Sequence, residues 1–135
     1  MADILALRDA LADAARTGTG VRCYKGNRDQ VEPPCFVVGL PQRIEYDMAF
    51  ARGADVHTFG VRFVVGRTDE VVAEERLAAA LDGEGDSSLK AALEADQSLG
   101  GVADTVTVTS AGQLGVYAYG EVDYLGVEFT VDVIA

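Results

Sequence analysis

The chain has 135 residues, 49% of them hydrophobic, and carries 11 Lys and Arg against 22 Asp and Glu, for a net charge of −11. This length predicts one domain with an ordinary core, and the lack of an apolar run of about 18 residues argues against a membrane span. The charge is uneven, since residues 1–67 hold nine basic and eight acidic side chains and residues 68–135 hold two and fourteen. An acidic surface repels phosphate, so specific nucleic-acid binding is disfavoured.

The first third of the sequence predicts a helix followed by two strands. Residues 3–16 have apolar side chains at helical spacing, with Asp3 as the N-cap and Gly18 as the residue that ends the helix. Residues 21–25 predict a short strand. The apolar run 35–40 has polar side chains on neither face, which indicates a strand buried on both sides.

The centre of the chain contains its clearest β pattern. Residues 54–66 alternate apolar and polar side chains over a length that would cross a small domain, so we expect this strand near the middle of the sheet. Residues 42–53 also alternate apolar and polar side chains. They indicate either an edge strand or an extended segment whose apolar side chains meet a partner. After Gly66 the pattern becomes helical, with Leu81 on the buried face, and Ser87 or Ser88 begins a further short helix.

The last third predicts three strands. Residues 102–110, 113–119 and 124–133 would be joined by a turn at Ala111 and Gly112 and by another at residues 120–123, as an antiparallel meander. A slip in the alternation at residues 125–126 predicts a bulge. The expected fold class is therefore α+β: a mixed, mainly antiparallel β-sheet flanked by about three α-helices in a single domain of residues 1–135.

Residues that hold metals or perform catalysis are few. Cys23 and Cys35 lie in strand-like segments without metal spacing, and His57 is the one histidine. Because a zinc site needs three or four ligands, we expect no metal, no cofactor and no enzymatic activity. The cysteines are expected to be buried as small apolar residues, with no disulfide indicated.

Short segments along nearly the whole chain have a recognisable order. They are PPCFVVG at 33–39, YD at 46–47, RGAD at 52–55, TF at 58–59, VGR at 65–67, LDG at 81–83, SLKAALE at 88–94, LGG at 99–101 and YLGVEF at 124–129. In order and spacing these segments resemble the tail terminator proteins, also called tail completion or minor tail proteins, of long-tailed phages that infect actinobacteria. None of the segments carries chemistry by itself.

The resemblance implies a virion structural protein that is not an enzyme. Six copies would form a ring at the head-proximal end of the tail tube, end tube polymerisation and join the tail to the head connector. The expected partners are other copies of the chain, the tail tube protein and the head–tail connector or head-closure protein. Genomic DNA would pass through the lumen without specific binding, and the protein would be assembled in the host cytoplasm without a membrane.

A closed ring of one protein needs two different contact patches on each subunit. We expect them at the segment 42–53 and at the rim of the last hairpin, with the candidate residues Arg43, Tyr46, Met48, Phe50, Arg52, Tyr117, Tyr119 and Tyr124. Acidic side chains lining the lumen would let DNA slide, because like charges repel at short range. The candidates are Glu70, Glu74, Glu75, Asp82, Glu84 and Asp86.

Two other functions remain open at this point. The first is a head-closure or head–tail connector protein of the same virion neck, which the sequence separates poorly from a terminator. The second is a cytosolic domain that binds a small ligand in a pocket lined by the three tyrosines of the last hairpin.

Overall fold

The computed structural model describes residues 3–26, 30–46, 55–67, 71–85 and 88–135. The helices are α1 Ile4–Thr19, α2 Val71–Leu81 and α3 Leu89–Glu94, with a 3-10 turn at Leu99–Gly101. The strands are β1 Arg22–Lys25, β2 Cys35–Val38, β3 Arg43–Glu45, β4 Val56–Arg67, β5 Thr105–Tyr119 and β6 Val122–Ile134. Within these ranges, no helix has the length and apolar character needed to cross a membrane.

The six strands form one sheet in the order β1-β2-β4-β6-β5, and β3 pairs with β4 beside β2. Only β1 and β2 are parallel, and every other pairing is antiparallel. The long strand β4 lies in the interior of the sheet, as predicted, because it pairs with β2 and β3 on one side and with β6 on the other. The α+β class with a mixed, mainly antiparallel sheet and three helices is confirmed.

The core lies between the three helices and one face of the sheet. Alternate β4 residues such as Phe59 and Phe63 point into this core, where they meet α1, α2 and α3. Val64 alternates with these residues and so lies on the other face of β4, yet it is also fully buried. Cys35 and Tyr119 pack with Val64 in a second, smaller cluster on the opposite face of the sheet. All four residues of β2 are buried for the same reason, as predicted.

The strands β2 and β3 follow one another along the same side of β4. Val38 pairs with Val61, and Arg43 pairs with Thr58, so residues 39–42 lie opposite only two residues of β4. Residues 39–42 therefore form an irregular connection between the part of β4 that pairs with β2 and the part that pairs with β3. A Cβ at Gly60 would collide with the side-chain amide of Gln42, so this glycine lets that side chain cross the backbone of β4.

The helix α1 begins where predicted but ends later. The side chain of Asp3 accepts hydrogen bonds from the backbone of the first turn, which confirms the N-cap. The C-cap is Gly20, whose φ of 72° is the left-handed conformation common at helix ends. The prediction that Gly18 ends the helix was wrong, because Gly18 lies inside α1 against α3. A Cβ there would overlap Ala92, so this glycine serves close helix packing.

The two short helices follow the sequence pattern with one exception. Ser88 is the N-cap of α3, since its hydroxyl accepts a hydrogen bond from the Ala91 amide. Ala73 and Leu77 form the buried side of α2. Leu81 was predicted on that side but is exposed, because it is the last residue of the helix.

The predicted turn at Ala111 and Gly112 does not exist. Strand β5 runs unbroken from Thr105 to Tyr119 and pairs with β6 along its length except at Thr109 and residues 113–114. The two strands shift register twice, between Val108 and Ser110 and again between Gly112 and Gly115. The small residues that suggested a turn therefore mark bulges, and the expected three-stranded meander is a single long hairpin.

The bulge predicted at residues 125–126 of the last strand is not on that strand, because the extra residues at this point belong to its two neighbours. Val65 of β4 is the unpaired residue on one side, and residues 113–114 of β5 are unpaired on the other. The glycine at 126 allows this close approach, since a Cβ there would lie 2.7 Å from the carbonyl oxygen of Phe63.

Candidate functional site at the sheet edges

The outer half of β5 is the most exposed β segment of the described chain. We call residues 109–116 the arm. Residues 109–114 are all exposed, which means that neither face of the strand is covered there. Leu114 and Val116 are 61% and 62% exposed. The surrounding stretch, residues 105–120, contains no charged residue and no proline, although charged side chains and proline are usual protections of an edge strand.

The inner half of the same edge is closed by α3. Glu94 accepts a hydrogen bond from the Val108 amide at 3.0 Å, and Lys90 donates one to the Val108 carbonyl at 3.3 Å. Lys90 and Glu94 also form an ion pair at 2.6 Å. Burial acts to raise the pKa of Glu94, but the hydrogen bonds from Lys90 and Val108 outweigh it and lower that pKa. We call the two side chains the edge cap.

A second group of exposed apolar side chains lies across the sheet. Leu40 and Tyr46 flank β3 and are 62% and 70% exposed. Since β3 and β5 lie on opposite sides of the β4–β6 pair, the two apolar groups lie on opposite edges of one sheet. Arg43, a predicted interface residue, is exposed within β3 and forms an ion pair with Glu45.

The three tyrosines of the last hairpin come together, but not as an exposed rim. Tyr119 is buried, and Tyr117 and Tyr124 are half-buried in the smaller cluster around Val64. The rings of Tyr119 and Tyr124 are 6.4 Å apart. The other predicted interface residues, Met48, Phe50 and Arg52, lie outside the described residues.

Arg62 and Glu128 form a polar centre that the sequence did not reveal. The Arg62 guanidinium lies 5.3 Å from the Tyr117 ring centroid, and its Nε lies 3.3 Å from a Glu128 oxygen. Gln42 donates a hydrogen bond to the other oxygen of Glu128 at 3.0 Å. Burial raises the pKa of Tyr117, with Glu128 adding to the effect. The alternation in the sequence places Arg62 and Glu128 on the polar faces of their strands. Their pairing could not be predicted, because it depends on the register between β4 and β6.

Beside this centre is an open depression of about 420 Å³, with Leu40 and Gly60 among its lining residues. No tyrosine of the last hairpin lines it. The charges at its base are already matched, because Arg62 is paired with Glu128 and Arg8 with Asp9.

The predicted lumen residues that the structure describes are all exposed. Glu74 and Glu75 lie on α2, and Asp82 and Glu84 lie in the loop that follows it. None of the four forms an ion pair with another described residue. Glu70 and Asp86 lie outside the described ranges. The placement on one helix and its loop produces a local excess of negative charge.

The two cysteines lie on opposite faces of the sheet, where Cys35 is buried and Cys23, contrary to the prediction, is only half-buried. Cys23 packs against the core under the helices, whereas Cys35 belongs to the smaller cluster, and both are free thiols. Burial raises the pKa of Cys23 to about 12 and that of Cys35 to about 11. A thiol with so high a pKa is rarely a thiolate at neutral pH and is a poor nucleophile.

The described parts of the chain contain no cluster of three or more histidine, cysteine, aspartate or glutamate side chains that could hold a metal ion. A scan against protein-family models found no match. A search of curated protein sequences found no match either. The surface features of the described residues are the uncharged arm, the apolar edge on the opposite side of the sheet and the exposed carboxylates of α2.

Proposed function

We propose that this chain is a structural protein of a phage virion. In this proposal it forms a hexameric ring at the head-proximal end of the tail tube, ends tube polymerisation and joins the tail to the head connector. The sequence resemblance suggests the role. The observation that carries it is the presence of exposed apolar side chains on opposite edges of one sheet, Leu114 and Val116 on one edge and Leu40 and Tyr46 on the other.

Two different patches on opposite edges suit a head-to-tail contact. When one patch of each copy binds the other patch of the next, the assembly closes into a ring if the rotation per copy permits it. Two identical patches would instead favour a closed dimer. Two different patches on opposite edges of this sheet therefore support a head-to-tail assembly such as a ring.

The acidic helix fits the same role. In a ring of six copies, Glu74, Glu75, Asp82 and Glu84 would each be repeated six times around the axis. Facing the lumen, they would repel DNA phosphates at distances of about a Debye length, roughly 8 Å at physiological salt. DNA could then pass through the ring without being held.

The test is the mass of the purified protein in solution, measured by light scattering over a range of concentrations, with and without isolated tail tubes. A ring of about six copies, or a monomer that forms rings only on tube ends, is the expected result. A monomer that ignores tubes at every concentration would reject the proposal. Binding to isolated heads but not to tubes would point instead to the head-closure protein of the same neck.

A further inference from the structure

The two bulges of β5 divide its pairing with β6 into three parts. The inner end, up to Val108, and the outer end, from Gly115 onward, each pair in one continuous register. Thr109 is unpaired at the first bulge, and residues 113–114 lie opposite a single residue of β6 at the second. Between the bulges only residues 110–112 are paired, and we call them the middle segment. A shift of this segment by one residue would move the extra residue of one bulge into the other, while both ends kept their register.

Few contacts fix the register of the middle segment. Residues 109–114 are all exposed, so no buried side chain distinguishes one register from the next. The glycines at 112 and 115 have open space where a side chain would lie, and they leave the backbone free to change conformation. Register is weakly specified in strands of this kind, and a slip of one residue turns each side chain to the opposite face.

Two side-chain hydrogen bonds hold the observed arrangement of the bulges. At the first, the Thr109 hydroxyl donates to the Thr130 carbonyl at 3.2 Å. At the second, the Tyr117 hydroxyl donates to the Gln113 carbonyl at 2.7 Å. Gln113 has a φ of 53°, a left-handed conformation that is uncommon for a residue with a side chain. The hydrogen bond from Tyr117 therefore stabilises a backbone conformation that Gln113 would rarely adopt alone.

Tyr117 is also the last member of a series of contacts that crosses the sheet. Gln42, just before β3, donates a hydrogen bond to Glu128 of β6, which pairs with Arg62 of β4. The Arg62 guanidinium in turn lies against the Tyr117 ring. We call these four side chains the polar chain. Its central side chain, Glu128, is 12% exposed and lies on the residue of β6 directly opposite Gly112.

We propose that the middle segment of β5 has two registers against β6 and that the polar chain selects the observed one. The polar chain begins beside β3, on one side of the β4–β6 pair, and ends at a bulge of β5 on the other side. The register is thus a two-state element through which one edge of the sheet can influence the other. This device operates within one copy of the chain and is independent of the proposed function.

The experiment follows amide hydrogen exchange in the full chain by NMR. Tyr117→Phe removes the hydroxyl and keeps the ring, and Gln42→Ala removes the opposite end of the polar chain. Arg43→Ala is the matched control, because Arg43 adjoins Gln42 but pairs with Glu45, outside the polar chain. We expect the exchange of the amides of residues 110–115 to rise about fivefold or more in both test variants, the lower end of usual coupling between sites. Amides of β4 should exchange as in the wild type, and the control should change none of the amides of residues 110–115.

The double variant Gln42→Ala/Tyr117→Phe separates coupling from two local effects. If Gln42 acts through Tyr117, the amides of the middle segment should exchange in the double variant as they do in Tyr117→Phe alone. Factors that multiply in the double variant would overturn the inference, as would a Gln42→Ala effect confined to amides near β3. A uniform rise across all strands would also overturn it, because that would report a loss of global stability.

The existence of two registers has its own measurement. In NMR relaxation dispersion, Tyr117→Phe should show exchange between two states on the microsecond-to-millisecond timescale, confined to residues 109–115. The wild type should show weaker exchange at the same residues. If Tyr117→Phe shows no exchange there, the second register does not exist and the inference fails, whatever the assembly state of the protein.

Discussion

His57 is 3% exposed, and neither of its ring nitrogens has a hydrogen-bond partner among the residues that the structure describes. Its neighbours across the sheet are Ile44 on β3 and Val133 on β6. An imidazole buried in this way leaves both ring nitrogens without a partner, and an unsatisfied buried group costs about 1–3 kcal/mol. Replacement by leucine, an apolar side chain of similar size, removes both groups.

The expected gain from His57→Leu is partly offset by imperfect packing. A change of shape in a core costs up to about 1.5 kcal/mol, so we expect a net stabilisation of about 1 kcal/mol. For a chain of this length, that corresponds to a rise in melting temperature of roughly 3–4 °C. The measurement is urea and thermal unfolding at pH 7, followed by circular dichroism.

The matched control is His57→Gln, which keeps a donor and an acceptor in the same place. It should be no more stable than the wild type, because its amide is as unsatisfied as the imidazole. A loss of stability in His57→Leu, with the unfolding still cooperative, would refute the reasoning. It would mean that the imidazole nitrogens contribute favourable hydrogen bonds in solution.

Three further predictions follow from the packing and the edge cap. Gly18→Ala should destabilise the chain by about 1–2 kcal/mol, since overpacking against α3 outweighs the helix propensity of alanine; adding Ala92→Gly should restore stability in chemical unfolding. Cys35 is fully buried and should react with a thiol reagent only at the rate of unfolding, so rapid labelling of this residue in the native protein at pH 7 would contradict its burial. Glu94→Gln should form larger, open-ended aggregates than the wild type in light scattering. Folding lowers the pKa of Glu94. Its contribution to the free energy of unfolding is therefore complete above its ordinary pKa of 4.5 and disappears as the pH falls through the lower folded value. If the difference in unfolding free energy between the wild type and Glu94→Gln stayed constant down to acid pH, that would argue against the edge cap.

The local elements could be predicted because their signals are themselves local. The alternation in β4 gave the strand and its buried face, and Asp3 and Ser88 were correctly placed at helix starts. A cap needs only an oxygen and an amide two or three residues away, and a strand face needs only a period of two. The α+β class followed from the order of these elements.

The candidate contacts were harder to predict because they join segments far apart in the chain. The three tyrosines looked like a rim, but burial by β4 and β2 turned Tyr119 into a core residue. The arm was missed because Ala111 and Gly112 carry the composition of a turn. Nothing local distinguishes a turn from a bulge in a strand that is held by a long partner such as β6.

The sequence alone determined the secondary elements, the acidic second half of the chain and the uncharged stretch from 105 to 120. Only the tertiary structure decided that this stretch is an edge, that Lys90 and Glu94 close part of it, and that Leu40 and Tyr46 lie across the sheet. The physical reason is that propensity and charge belong to single residues, whereas an edge exists only once the order and register of the strands are set. Those depend on the burial of side chains that are distant in sequence.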